Sequence, residues 1–136
     1  MRIGYDLDGV ICKEPKWLSI FFKLHPMIGV YLRDKQPILC EPIVEGYIIT
    51  GRPSCDREIT LDWLWRNLIK YKALYMVPFF TWEKGIEYKV QMIEKLQLDV
   101  FVESDYRIIE ELEKINSDCQ YLLPRVAVSM GFLEKI

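Results

Sequence analysis

Arg2-Ile3-Gly4-Tyr5-Asp6-Leu7-Asp8-Gly9 decides how the rest of this chain is read. Arg2 to Tyr5 reads as a short β-strand. Two carboxylates follow it, two positions apart, and then a glycine. Alternate side chains at a strand end share a face, so Asp6 and Asp8 can converge on one point. Two converging acids make a Mg2+ site, an acid/base pair, or both. An EF-hand loop is excluded, because its next oxygen ligand would fall at Val10 and its terminal Glu at Trp17.

The same short, abruptly ended apolar pattern recurs downstream. Tyr47-Ile48-Ile49 lies between Gly46 and Gly51, and Ala73 to Val77 is ended by Pro78. Asp99 to Val102 gives a fourth strand, and Tyr121 to Leu123, ended by Pro124, a fifth. Apolar runs of this length suit strands buried on both faces of a parallel sheet. Helical patterns fall between them. Leu61, Leu64, Trp65, Leu68 and Ile69 follow the spacing of one apolar face, with Ser54 or Asp56 placed to cap it. Ile86, Val90, Ile93 and Leu96 give a second stripe, and Ile108, Ile109, Leu112 and Ile115 a third.

Alternating strands and helices predict an α/β fold, Rossmann-like and doubly wound. The expectation is three layers, α/β/α, around a five-stranded parallel sheet, with right-handed crossovers. Ligands of such sheets bind beyond the carboxyl ends of the strands. Residues 11–45 break the pattern. They carry Trp17, Phe21, Phe22, Leu24, Tyr31 and several prolines without clear periodicity. This stretch is expected to be a small insertion after strand 1, a cap or flap over the site. Its aromatics read as packing against the core before stacking on a substrate base. The lone His25, next to Pro26, reads as a packing or surface residue.

At 136 residues the expectation is one domain covering 1–136. Half the residues are apolar, and four Trp, eight Tyr and six Phe exclude a disordered chain. A net charge of −2 argues against nucleic acid held on a broad basic surface, but leaves room for a small phosphorylated substrate. Cys12, Cys40, Cys55 and Cys119 form no CxxC pair and no zinc spacing, so they read as reduced thiols. No apolar h-region precedes the first strand and no run approaches a membrane span. The expected location is cytoplasmic, away from membranes; a homo-oligomer is compatible with the sequence.

Four polar elements fall at predicted strand ends or beside them. They are Asp6-Leu7-Asp8-Gly9, then Thr50-Gly51-Arg52, then Lys89, then Glu103-Ser104-Asp105. Taken singly, each has an ordinary reading: a turn, a helix entry, a solvated lysine, a capped loop. Their order and placement together point to one phosphate-handling site. Lys84, with Gly85 after it, competes with Lys89, but Lys89 fits the Val90 and Ile93 stripe better. Arg52 is placed either to reach substrate or to pair with Asp56.

On these four motifs, over residues 2–105, the chain resembles the haloacid-dehalogenase-like hydrolase superfamily. The likeness is to its small, capless or minimally capped phosphatases, deoxynucleotidase-like members among them. The resemblance implies Asp6 as a nucleophile that forms an aspartyl-phosphate, and Asp8 as acid and then base. A nearby like charge would raise one carboxyl's pKa and help it hold a proton. Thr50 and the N–H groups around Gly51 would bind phosphate, and Lys89 would neutralise charge. Mg2+ would bind Asp6, the Asp8 carbonyl and an acid of the fourth motif. Family members often end the fourth strand with adjacent acids; here Ser104 separates Glu103 from Asp105. The reading takes Glu103 as the direct ligand and Asp105 as the one behind it.

The expected function is a Mg2+-dependent phosphomonoesterase acting on a small phosphorylated metabolite, nucleotides included. The alternative is a non-catalytic phosphate- or nucleotide-binding module of the same fold. A phospho-accepting receiver domain is disfavoured, because it would need an acid at the end of the third strand, where Val77-Pro78 stands.

Overall fold

Successive strand residues point to opposite faces of a sheet, and here both faces are apolar. A computed structural model describes residues 1–15, 17–18, 31–78 and 82–136. Its elements are β1 (Ile3–Tyr5), β2 (Cys40–Pro42), β3 (Tyr47–Pro53), α1 (Arg57–Arg66), β4 (Ala73–Val77), α2 (Trp82–Leu96), β5 (Val100–Val102), α3 (Tyr106–Ile115), β6 (Gln120–Leu122), α4 (Pro124–Ser129) and β7 (Leu133–Lys135). A 3-10 turn, Ser54–Asp56, joins β3 to α1.

Five strands form one parallel sheet in the order β4-β3-β1-β5-β6. Ile3, Tyr5, Ile48, Val100 and Val102 pack on one face with Trp63 and Leu64 of α1 and Ala127 of α4. Ile49 and Phe101 pack on the other with Ile86, Val90 and Ile93 of α2 and Leu112 of α3. The fold is the doubly wound three-layer α/β/α architecture that the alternation predicts. From β1 the chain builds outward through β3 to β4, then crosses over to build β5 and β6 on the other side. The reversal falls between β1 and β5, which is where doubly wound sheets open a crevice at their carboxyl ends. Asp6, Asp8 and Glu103 stand beside it.

The five predicted strands appear within a residue or two of their expected starts, but β3 continues to Pro53. Thr50-Gly51-Arg52 therefore lies inside the strand, where pairing with β4 is irregular between Thr50 and Pro53.

The apolar face of α1 differs from expectation. Thr60, Trp63 and Leu64 are buried, while Trp65 is 77% exposed and Leu68 78% exposed. Trp63 wins because its indole N–H donates to the Gln36 carbonyl at 2.9 Å. A buried tryptophan is worth about 3–5 kcal/mol against Ala in cores of this kind. Asp56 occupies the N-cap position of α1, but neither it nor the preceding turn makes a side-chain cap hydrogen bond.

A two-stranded antiparallel ribbon of β2 and β7 was not anticipated. It ties the insertion to the end of the chain. Val10, Ile11, Cys12, Leu18 and Cys40 from this part of the sequence are buried. Trp17 and Tyr31 are exposed, while Phe21, Phe22, Leu24, His25 and Pro26 lie outside the described residues. No helix among the described residues is long and apolar enough to cross a membrane.

Candidate functional site

β1 ends at Tyr5, so Asp6 and Asp8 sit in the turn that leaves the strand rather than on the strand itself. The Asp6 N–H still donates to the Val102 carbonyl at 2.9 Å. Leu7 is fully buried. Its carbonyl accepts the N–H groups of Val10, Ile11 and Cys12 at 3.3, 2.9 and 2.9 Å. The acids thus flank a buried anchor. Gly9 completes the turn with φ +85°, and a Cβ there would collide with the Ser104 side chain. Only glycine meets both demands cheaply. The Ser104 hydroxyl in turn donates to the Asp8 carbonyl at 3.4 Å, tying the two acidic loops together.

Asp6 faces Lys89 and Glu103. Its Oδ1 accepts the Leu7 N–H at 2.8 Å, and its Oδ2 lies 3.5 Å from Lys89 Nζ. Lys89 is 4% exposed and donates to Glu103 Oε1 at 2.6 Å. Glu103 is 1% exposed, and its Oε2 accepts the N–H groups of Ser104 and Asp105 at 2.8 and 3.2 Å. One ammonium therefore serves two buried carboxylates. Burial and the neighbouring Glu103 carboxylate drive the Asp6 pKa well above its ordinary value, with Lys89 opposing. Burial alone would lower the Lys89 pKa, but Asp6 and Glu103 outweigh it and raise it.

Asp8 has different partners. Arg52 grips it with two hydrogen bonds, Nε to Oδ2 at 2.8 Å and Nη2 to Oδ1 at 2.6 Å. Arg33 approaches Oδ2 at 3.7 Å while pairing with Glu14 at 2.8 Å. Burial would raise the Asp8 pKa, yet Arg52 and Arg33 together hold it below its ordinary value. The expectation of one raised carboxyl is met, but by Asp6, and Asp8 is kept ionised.

The structure brings Asp6, Asp8, Lys89 and Glu103 together. Lys84 instead lines a shallow cavity with Val77, Pro78, Glu87, Tyr88 and Gln91. Thr50 is buried beside the group, with its hydroxyl accepting the Arg52 N–H at 3.1 Å. Gly51 has open space where a side chain would stand. The pairing of Arg52 with Asp56 needs correction. Its side chain is 3% exposed, and its third nitrogen, Nη1, donates to the Thr60 hydroxyl at 3.1 Å. Its guanidinium pairs with Asp8 and not with Asp56. Asp105 is not brought to the group. Its carboxylate caps α3 through the Arg107 N–H at 3.0 Å and pairs with the Arg107 guanidinium at 3.1 Å.

Four contributors were missed. Thr60 carried a signal, since it precedes Trp63 and Leu64 by three and four residues. Ser104 stood inside a motif already noticed. Arg33 and Cys12, whose Sγ lies 3.7 Å from Arg52 Nη2, fall in the aperiodic insertion, where spacing gives no guide.

Among the described residues, no three His, Cys, Asp or Glu side chains gather as a metal cluster. The expected set is different: two carboxylates, Asp6 and Glu103, and one main-chain carbonyl, that of Asp8. These are hard oxygen donors of the kind Mg2+ takes. With Asp6 ionised, the Asp6–Lys89–Glu103 group carries one negative charge in excess, and a bound cation would favour that ionised form. The residues fit the ion.

No family model matches the chain, and no curated protein matches it. Among solved structures it is similar to a chain in "Structure of the Pnkp1/Rnl/Hen1 RNA repair complex", with a TM-score of 0.62 and 13% identity. The match covers 90% of this chain and 41% of that one, so this chain spans about two-fifths of its neighbour's length. At that identity the likeness shows the fold alone.

Proposed function

We propose that this chain is a Mg2+-dependent phosphohydrolase of the haloacid-dehalogenase-like type, working through an aspartyl-phosphate. One observation carries the reading: a buried carboxylate, Asp6, at the carboxyl end of the central strand, 3.5 Å from a buried lysine and beside a second buried acid. Asp6 Oδ2 attacks phosphorus, the bond to the leaving oxygen breaks as that oxygen takes a proton from Asp8, and the phosphoryl group rests on Asp6. Lys89 offsets negative charge on the phosphoryl oxygens and on Asp6. Water then attacks phosphorus, Asp8 takes its proton, and the bond to Asp6 breaks to release phosphate. Both Asp8 oxygens are engaged by Arg52, so donating or accepting a proton requires one of those bonds to loosen. Asp6, Glu103 and the Asp8 carbonyl would hold Mg2+, which would supply further neutralisation of phosphate charge.

The substrate class is a small phosphorylated metabolite, with nucleotides included. Phosphorylated oligonucleotide ends belong in the screen because the fold neighbour comes from an RNA repair complex. We assign the protein to the cytoplasm, a reading supported by four free cysteines. The test is a phosphatase screen with Mg2+, run beside Asp6→Asn. Phosphate release from p-nitrophenyl phosphate should fall by roughly 1,000-fold or more. Release at the wild-type rate would sink the assignment of Asp6.

A second reading, a phosphate- or nucleotide-binding module without turnover, draws on the commitment of both Asp8 oxygens and both Glu103 oxygens to protein groups. Saturable calorimetric binding of phosphate compounds, with no turnover across the panel, would favour it.

A further inference from the structure

We infer that Arg52, itself held by Thr60, is a positioning residue that fixes the Asp8 carboxylate, and that α1 is thereby part of the active site. The inference rests on the reading of Asp8 as the proton acceptor.

Three fixed points define the geometry. Two parallel bonds between a guanidinium and a carboxylate set the plane and direction of the carboxylate as well as its distance. The Arg52 backbone is pinned by the Thr50 hydroxyl at 3.1 Å, in the stretch where β3 departs from regular pairing. The far nitrogen of the fork is fixed by Thr60 at 3.1 Å. Thr60 is wholly buried one turn before Trp63 and Leu64. A hydroxyl in such a place is costly unless it is bonded, and its partner is Arg52. The chain from the packed face of α1 to Asp8 is thus Thr60, Arg52, Asp8, with every link buried.

This arrangement suits positioning, because the guanidinium is buried and each of its three nitrogens already donates to a protein group. Lysine cannot replace it, since a point ammonium cannot hold both carboxylate oxygens and reach Thr60 as well. A base must lie within a few tenths of an ångström of its productive place, and a misplacement of about 1 Å can cost around 100-fold.

The test uses the full chain with Arg52→Lys, Thr60→Val and Thr60→Ser. Arg52→Lys should lower kcat by about 10- to 100-fold with KM little changed. Thr60→Val, which nearly keeps the side-chain shape, should lose less, and Thr60→Ser should restore most of that loss. A purely structural role predicts a lower Tm and an unchanged kcat per folded molecule, and that result overturns the inference. A readout without turnover accompanies it: the carboxyl carbon-13 resonance of Asp8, identified by its loss in Asp8→Asn. It should move in Arg52→Lys and Thr60→Val while the Asp6 resonance moves less. If it stays in place in both, the inference is wrong whatever the kinetics. If the wild type turns over nothing, the proposed hydrolase activity fails, and the carbon resonance alone decides whether Arg52 positions Asp8.

Discussion

Asp6 and Asp8 are separated by one residue, yet their surroundings are opposite. Asp6 shares a single lysine with Glu103 and is pushed toward its neutral form by burial and by that acid. Asp8 has a guanidinium fork to itself, with a second arginine behind it, and is held as an anion against the cost of burial. The sheet order explains the contrast. β1 is central, so the turn after it meets β5 and the lysine of α2 on one side, and β3 and α1 on the other. The Asp6 side has one cation for two acids. The Asp8 side is complete within the protein.

The largest way to break this contrast is Asp8→Asn. It strands the buried Arg52 charge, so stability should fall by about 3–5 kcal/mol, read from urea unfolding. A loss below about 1 kcal/mol would mean that the pair is not the closed unit described. Next comes Mg2+ itself. At 100 times its Kd, a cation that binds only the folded protein raises stability by about 2.7 kcal/mol. Thermal or urea unfolding with and without Mg2+ should show that gain in the wild type, lose most of it in Glu103→Gln, and keep it in Asp8→Asn, whose carbonyl remains. Equal gains in all three would remove the assigned ligands.

The smallest effect is the most diagnostic. With Mg2+ removed by a chelator, Asp6→Asn should stabilise the protein at neutral pH by about 0.5–2 kcal/mol. The sign follows from the shifts. The folded pKa of Asp6 is raised, so its contribution is fully present below the ordinary value of 3.8 and is lost as pH rises through the folded value. Asp8 is lowered, so its contribution is present above 3.8 and is lost as pH falls through its folded value. Asp6→Asn should flatten the fall in stability above 3.8 and leave the fall below it. A variant that instead loses stability at neutral pH would show that Asp6 is paired as fully as Asp8.

Much of the architecture was legible because it depends on local pattern. Each strand shows as a brief apolar run with a hard stop at Pro78, Pro124 or a polar residue, and the stripes of α2 and α3 place Ile86, Val90, Ile93, Ile109 and Leu112 correctly in the core. The face of α1 was misread because two sets fit the same spacing. Leu61, Leu64 and Trp65 look as helical as Thr60, Trp63 and Leu64. The choice between them was made by distant residues, Gln36 receiving the Trp63 indole and Arg52 receiving Thr60. The β2–β7 ribbon joins residues far apart in sequence across three-residue strands, too short for any alternation to show.

The sequence by itself determined which groups gather: Asp6, Asp8, Thr50, Lys89 and Glu103 are each attached to a strand end or helix face whose period places them there. The folded arrangement sets their pairing. It gave Lys89 to Glu103 and Asp6, Arg52 to Asp8 and Thr60, and Asp105 to the start of α3. Side-chain pairing inside a protein depends on distances of a few ångströms between segments tens of residues apart. In a buried site those distances decide which carboxylate keeps its charge.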